Sequence, residues 1–286
     1  MDGAVNRTTR PPWLNKKIDL AKCGRVQKLL KSKCLNTVCR EAMCPNISEC
    51  FEAGVATFLI LGNVCTRSCL FCGVRKGRTG DLDPDEPRRV AGAVEELGLR
   101  HAVVTSVTRD DLEDGGASAF CDTIREIRKI GKDIAIEVLV PDFRGKEGPV
   151  ASVLSAGPDI FAHNVETVPR IYRAVRPEAD FERSLAVLET SKRLRPDIKT
   201  KSGFMLGLSE KEDEVLEAMK RLREADCDFL SIGQYLAPSK KHYPVREYVD
   251  PEVFISYREK AVGMGFKYVE SGPYVRSSYM AGNYLR

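Results

Sequence analysis

The chain has 286 residues, of which 43% are apolar and 30% charged. That length suits one α/β barrel with terminal additions, and that composition belongs to a globular protein with a sizeable core, which excludes disordered, collagenous and fibrous classes. Forty-five basic residues against 41 acidic ones leave a net charge of +4, too slight to predict nucleic-acid binding, although it suits an acidic protein partner.

The first 54 residues read as loop and short helix. Lys16, Lys17, Lys22, Lys28, Lys31 and Lys33 make this stretch basic, and a solvated surface is the default reading of such lysines. The opening MDGAVNRTTRPPWLNKK lacks the hydrophobic core of a signal peptide, and no apolar run approaches the ~20 residues of a membrane span. A cytoplasmic protein with no membrane association is expected. Ten cysteines in such a chain point to metal ligation or redox chemistry rather than a disulfide scaffold. Three fall within twelve residues: Cys39, Cys44 and Cys50 in VCREAMCPNISEC.

From Thr57 onward, short β-rich runs alternate with amphipathic stretches, the signature of consecutive β/α units over residues 55–265. The predicted strands are Thr57–Leu61, His101–Val107, Ile134–Val140, Asp159–His163, Lys199–Leu206 and Asp228–Ile232. Among the predicted helices are Pro87–Leu97, Ala117–Ile130, Val168–Val175, Phe181–Leu194, Lys211–Ala225 and Pro251–Val262. The strand runs are nearly continuous in Val, Ile, Leu, Ala and Phe, as parallel strands covered on both faces require. Six units without an obvious reversal point to an incomplete (β/α)6 TIM-type barrel, with a doubly wound sheet as the rival. In either case ligands bind at the carboxyl ends of the strands. A tail follows over residues 266–286, with a short strand expected at Phe266–Val269.

Cys65, Cys69 and Cys72 lie in LGNVCTRSCLFCGV, directly after the first predicted strand. Three soft ligands on one tight loop at the ligand end can converge on an iron-sulfur cubane, leaving one iron open. Zinc is the alternative, since Cys-x2-Cys pairs are common in zinc sites, but it needs a fourth ligand that is not found locally. Cys23, Cys34, Cys121 and Cys227 read as non-ligands, the last two as small buried hydrophobes. His101, His163 and His242 form no metal pattern. Asn164 and Glu166 after the fourth strand and Gln234 after the sixth are polar groups at the ligand rim. Asp110, Asp111, Glu113 and Asp114 precede Gly115 and Gly116, and either face solvent or cap the helix that opens near Ala117.

The spacing of Cys65, Cys69 and Cys72, with Phe71 before the last thiol and Gly73 after it, resembles the signature of the radical S-adenosylmethionine (SAM) superfamily. The upstream triplet and RSSY at Arg276–Tyr279 resemble the lipoyl synthase family within it. TSVTRDDLEDGG, LVPDFRG, HNVETVPRIYRAVRP, KSGFMLGLSE and IGQYLAPSKKHYPV follow in the same order, so that the resemblance runs from about residue 34 to residue 282.

The resemblance implies two [4Fe-4S] clusters and S-adenosylmethionine as cofactors. Cys65, Cys69 and Cys72 would hold the cluster whose open iron chelates SAM, with Phe71, Gly115, Gly116, Asn164, Glu166 and Gln234 around the cofactor. Cys39, Cys44 and Cys50 would hold the second, completed by a serine oxygen of RSSY, Ser278 in preference to Ser277. Outside this context both serines would read as turn residues. An oxygen ligand is harder than thiolate and releases more readily, which suits a cluster that must open. The implied reaction inserts two sulfur atoms at C6 and C8 of a protein-bound octanoyl chain. It consumes two SAM molecules and sacrifices the second cluster. Those carbons lack an activating group, so no side-chain base could act on them. The implied partners are octanoylated carrier domains, either 2-oxoacid dehydrogenase E2 or glycine cleavage H protein, and a ferredoxin or flavodoxin. The basic amino-terminal lysines would then help dock an acidic carrier. Another sulfur-inserting radical enzyme is the nearest rival, and a zinc-stabilised nucleic-acid module a more distant one. One departure stands out: Ser209 precedes Glu210 where the family pattern has glycine, and Ser209 is expected to cap the following helix.

Overall fold

A computed structural model of the chain describes residues 9–16, 19, 23–42, 44–52, 57–131 and 133–285. The amino-terminal part contains α1 (Gly24–Ser32), β1 (Asn36–Thr37), α2 (Val38–Glu41) and α3 (Ile47–Glu52). Next come β2 (Thr57–Ile60), β3 (Val64–Cys65), β4 (Arg75–Lys76), α4 (Glu86–Leu97), β5 (His101–Ser106), α5 (Ala117–Ile130), β6 (Ala135–Leu139) and α6 (Glu147–Ser155). The chain continues through β7 (Ile160–Ala162), α7 (Pro169–Val175), α8 (Phe181–Leu194), β8 (Lys199–Leu206), α9 (Glu212–Glu224), β9 (Phe229–Gln234), α10 (Pro251–Gly263) and β10 (Tyr268–Gly272).

The main sheet has the order β1-β2-β5-β6-β7-β8-β9-β10, with β1 antiparallel and every later neighbour parallel. The order never reverses, which excludes a doubly wound sheet. Because β/α/β crossovers are right-handed, a sequential order puts all the helices on one face and curls the sheet around the other. Among the described residues β10 pairs only with β9, so the barrel is incomplete, as expected. It has one parallel strand more than the six units foresee, since the short strand expected after the last helix joins the sheet.

The strands are buried along nearly their whole length, which their unbroken apolar runs require. The predicted bounds of Ala117–Ile130, Phe181–Leu194 and Lys199–Leu206 are met to the residue. Sequence reading missed α6 because Gly148 and Pro149 look like loop; proline is tolerated there because it falls in the first turn, where the lost N–H has no helical acceptor. Helix α4 ends at Gly98, whose φ of +63° completes a left-handed cap with the Leu99 amide donating to the Val94 carbonyl at 3.0 Å.

Ser209 does not cap α9. The N-cap is Lys211, whose amide donates to Glu214 at 2.8 Å, while Ser209 adopts φ +87° two residues earlier. The strained position is one where glycine is at ease and serine is not. Glu210 accepts from the Gly207 and Leu208 amides and so holds the turn.

Candidate active site

The carboxyl ends of the strands open on a cavity of about 560 Å³, within the range of small-molecule sites. Cys39, Cys44, Cys50, Cys65, Cys69 and Cys72 all line it, together with Phe71, Asn164, Glu166, Gln234, Ser277 and Ser278.

The loop carrying Cys65, Cys69 and Cys72 is held on several sides. Thr66 donates its amide to the Thr108 carbonyl at 3.1 Å, and Leu70 donates to Val175 at 2.8 Å and accepts from the Tyr243 amide at 2.8 Å. Buried Arg67 forks onto Asp110 at 2.6 and 2.9 Å and reaches Asp142 at 2.6 Å, so the loop is tied to the segments after β5 and β6. Burial alone would raise the Asp142 pKa, but hydrogen bonding and charge from Arg67 reverse this and hold its carboxyl well below the usual range. Sequence reading gave Arg67 no role, because its partners lie 43 and 75 residues away.

Burial pushes the Cys72 thiol up to about 12, with Cys69 and Cys65 adding to the effect and the Val74 backbone opposing it. Cys69 is raised by burial too, while the Arg176 guanidinium beside it favours its thiolate. In the upstream set, burial takes Cys50 to about 12, with Cys39 and Cys44 contributing. Burial takes Cys39 to about 11 against hydrogen bonds from Thr57. Such thiols become thiolates only if cationic charge sits among them, which a metal centre provides. Among the described residues no three His, Cys, Asp or Glu side chains gather tightly enough for a single ion. A cubane takes its thiolates at separate iron corners, further apart than the ligands of one zinc ion. Three thiols of each set on one cavity wall are the donor chemistry such a cluster takes.

Short local bonds shape the upstream set. The Cys44 amide donates to the Cys39 carbonyl at 3.0 Å, and α3 starts just beyond, with Cys50 donating to Asn46 at 2.9 Å. The tail crosses beside it: Asn46 Nδ2 donates to the Tyr274 carbonyl at 2.7 Å, and Lys16 holds the Asn46 amide oxygen at 2.8 Å. Thr57 Oγ1 donates to Ser278 Oγ at 2.7 Å and also hydrogen-bonds with Cys39. Ser277 turns the other way, donating to Asn164 Oδ1 at 3.2 Å.

At the rim, Asn164 Nδ2 donates to Glu166 Oε1 at 3.1 Å. Burial raises the Glu166 carboxyl, with Arg176 and Asn164 pulling against it. His163 and Arg176 also line this cavity, and each keeps one buried atom, Nε2 and Nε respectively, without a hydrogen-bond partner. Unsatisfied polar atoms on a cavity wall are what a polar ligand completes. Neither residue was foreseen in this role, although HNVETVPRIYRAVRP contains both.

Three residues expected around the cofactor are held by the fold itself. Gln234 reaches the cavity wall, but its amide nitrogen donates to the Leu206, Tyr235 and Glu247 carbonyls at 3.1, 3.0 and 3.0 Å, and its oxygen accepts from Val249 at 2.8 Å. It clamps the 247–249 segment and has no N–H left for a ligand. Gly115 and Gly116 do not line the cavity. They have φ of +62° and +90° in the turn into α5, and a Cβ on Gly116 would lie 2.3 Å from Leu61 Cδ1, so packing and backbone shape require them. Of the acidic residues before them, Asp114 caps the turn, accepting from the Gly116 and Ser118 amides at 2.8 Å each.

The Radical SAM superfamily model matches residues 59–233. Over 277 residues, 97% of this chain and 98% of the relative, the sequence is 56% identical to lipoyl synthase of Geotalea uraniireducens. It is 54% identical to that of Caldicellulosiruptor saccharolyticus over 96% and 97% of the two chains. The chain belongs to the lipoyl synthase family. Among solved structures, methylornithine synthase superposes with a TM-score of 0.58 at 13% identity, covering 74% of this chain and 70% of that one. The hydrogenase maturase HydG gives 0.55 at 17%, covering 74% and 55%. At those identities they share the fold alone.

The remaining cysteines of this lipoyl synthase family member lie off the cavity: Cys23, Cys121 and Cys227 are buried and Cys34 is exposed. Lys16 is engaged with Asn46 and Glu49, and Lys33 pairs with Glu96 at 3.2 Å, whereas Lys28 and Lys31 face solvent. Lys17 and Lys22 lie outside the described residues.

Proposed function

We propose that this lipoyl synthase family member holds two [4Fe-4S] clusters on opposite triplets of one cavity. In this reading Cys65, Cys69 and Cys72 bind the first, and Cys39, Cys44, Cys50 and Ser278 bind the second. When bound, the first supplies the electron that cleaves S-adenosylmethionine to a carbon radical, and the second supplies the sulfur. The residues' own work is to bind, orient and shield. Arg176 Nε and His163 Nε2 offer a donor and an acceptor to the polar end of the cofactor, and Asn164 keeps Glu166 aligned beside them. Leu59, Phe71, Leu139, Phe204 and Val275 give the cavity an apolar lining for a hydrocarbon chain.

The observation that carries this reading is that two three-thiol sets and one serine pair share a single cavity. The Thr57 link between Ser278 and Cys39 favours Ser278 over Ser277 as the oxygen ligand. The substrate is an octanoylated carrier domain, and a small electron-transfer protein supplies electrons. With Lys16 and Lys33 engaged internally, Lys28 and Lys31 are, among the described lysines of this stretch, the ones left to meet an acidic carrier; reversing both charges raises the KM for the carrier, and an unchanged KM removes them from docking. No helix of the described residues is long and apolar enough to cross a membrane.

The test is a single-turnover assay of the reconstituted protein on an octanoylated peptide. Replacing Cys39, Cys44 and Cys50 by alanine should leave 5'-deoxyadenosine formation and abolish thiolated peptide, while the same change at Cys65, Cys69 and Cys72 abolishes both. Thiolated product from the first variant would refute the reading.

A further inference from the structure

The tail that carries Ser278 leaves β10 at Gly272 and ends at the opposite end of the barrel. Tyr279 donates its amide to Arg276 at 2.8 Å, Met280 turns the chain at φ +51°, and Asn283 donates to Met280 at 2.8 Å. This compact double turn delivers Tyr284 to the floor, where it is 4% exposed. Its ring lies 4.8 Å from that of Tyr268 and 5.4 Å from that of Phe229, the first residues of β10 and β9. Ile160, the first residue of β7, completes the apolar contact. The Lys201 ammonium sits 3.7 Å from the ring centroid.

Lys201 is itself fully buried and paired with Glu137 at 2.9 Å, and Glu137 also faces His101 at 3.4 Å. A buried ammonium between a carboxylate and an aromatic face is strongly oriented, because every alternative leaves the charge without compensation. The reaction as read above uses none of these groups. Side chains from β7, β8, β9 and β10 thus surround one ring that lies six residues beyond Ser278.

We propose that Tyr284 is a positioning residue: its ring, locked against Lys201 on the barrel floor, anchors the tail so that Ser278 is held at the upstream thiols and returns there after release. This rests on the reading of Ser278 as a ligand.

Hydrogen exchange on the cluster-free protein, with the wild type beside Tyr284→Leu and Tyr284→Phe, tests the anchor. Tyr284→Leu should lower protection of the tail amides over residues 276–284 at least tenfold while the strand amides keep theirs, and Tyr284→Phe, which retains the ring, should match the wild type. Unchanged tail protection in Tyr284→Leu overturns the anchor. Equal loss in tail and strands overturns it too, since Tyr284 would then be an ordinary core residue. The ligand reading is tested separately by the spectrum of the reconstituted upstream cluster in Ser278→Ala. An unaltered spectrum there removes Ser278 as ligand without moving the exchange result. With the ligand confirmed, Tyr284→Leu should broaden that spectrum and Tyr284→Phe should not.

Discussion

His163 shows how much chemistry one buried atom settles. Its Nδ1 faces the Val140 carbonyl at 2.8 Å. A carbonyl only accepts, so Nδ1 carries the proton and Nε2 keeps a lone pair without a partner. Burial, aided by the nearby Arg176 charge, pushes the imidazole from 6.5 down to about 4, so the ring stays neutral where the enzyme works. The unfolded chain takes up this proton near pH 6.5 and the folded chain only near 4. The folded state therefore holds its full advantage above about 6.5 and loses about 3 kcal/mol as the pH falls to about 4. Unfolding of the cluster-free protein, followed from pH 7 to 4, should show that acid slope, and His163→Leu should flatten it by about one proton. An identical slope in both would mean that His163 takes up its proton in the fold at the same pH as in the unfolded chain. Spacing in the sequence made the two cysteine sets visible, because thiols close together in the chain share a short segment. It was silent on His163 and Arg176, whose significance lies in what fails to meet them in space.

At the scale of elements, the loop of Cys65, Cys69 and Cys72 is placed by ion pairs as much as by backbone. Asp142 accepts from both Arg67 and Arg183, at 2.6 and 2.7 Å, and is essentially inaccessible. Arg67→Met leaves that buried carboxylate with Arg183 as its one charged partner beside the Arg144 amide and should destabilise the cluster-free protein by about 3 kcal/mol, read from urea unfolding. Adding Asp142→Asn should recover part of the loss, because the two residues act on each other. Full additivity would mean that the pair does not position the loop. Strands and long helices were legible because apolar periodicity is a local property. The tight turns were not: Ser209 at φ +87° and Gly115 and Gly116 at positive φ are shaped by what packs around them. Gln234 illustrates the same limit, since the sequence places a polar residue at a strand end but does not show that its amide clamps three carbonyls.

For the whole molecule, sequential strand order predicts a curled sheet, and the sheet's edges are bridged by the tail instead of by pairing. Val275 passes so close to β9 that a Cβ on Gly233 would lie 2.1 Å from its carbonyl oxygen, and Ser278 reaches Thr57 at the start of β2. This path brings residues 39–50, 65–72 and 276–279 to one cavity, an arrangement that the RSSY resemblance implied and that no composition or period could reveal. The proposed function requires two separate clusters in this cavity. Iron and sulfide quantitation on the anaerobically reconstituted protein tests it most directly, with the two triple Cys→Ala variants alongside. The wild type should carry about eight irons and each variant about four; full iron in either variant, or stoichiometric zinc in place of iron, would contradict it.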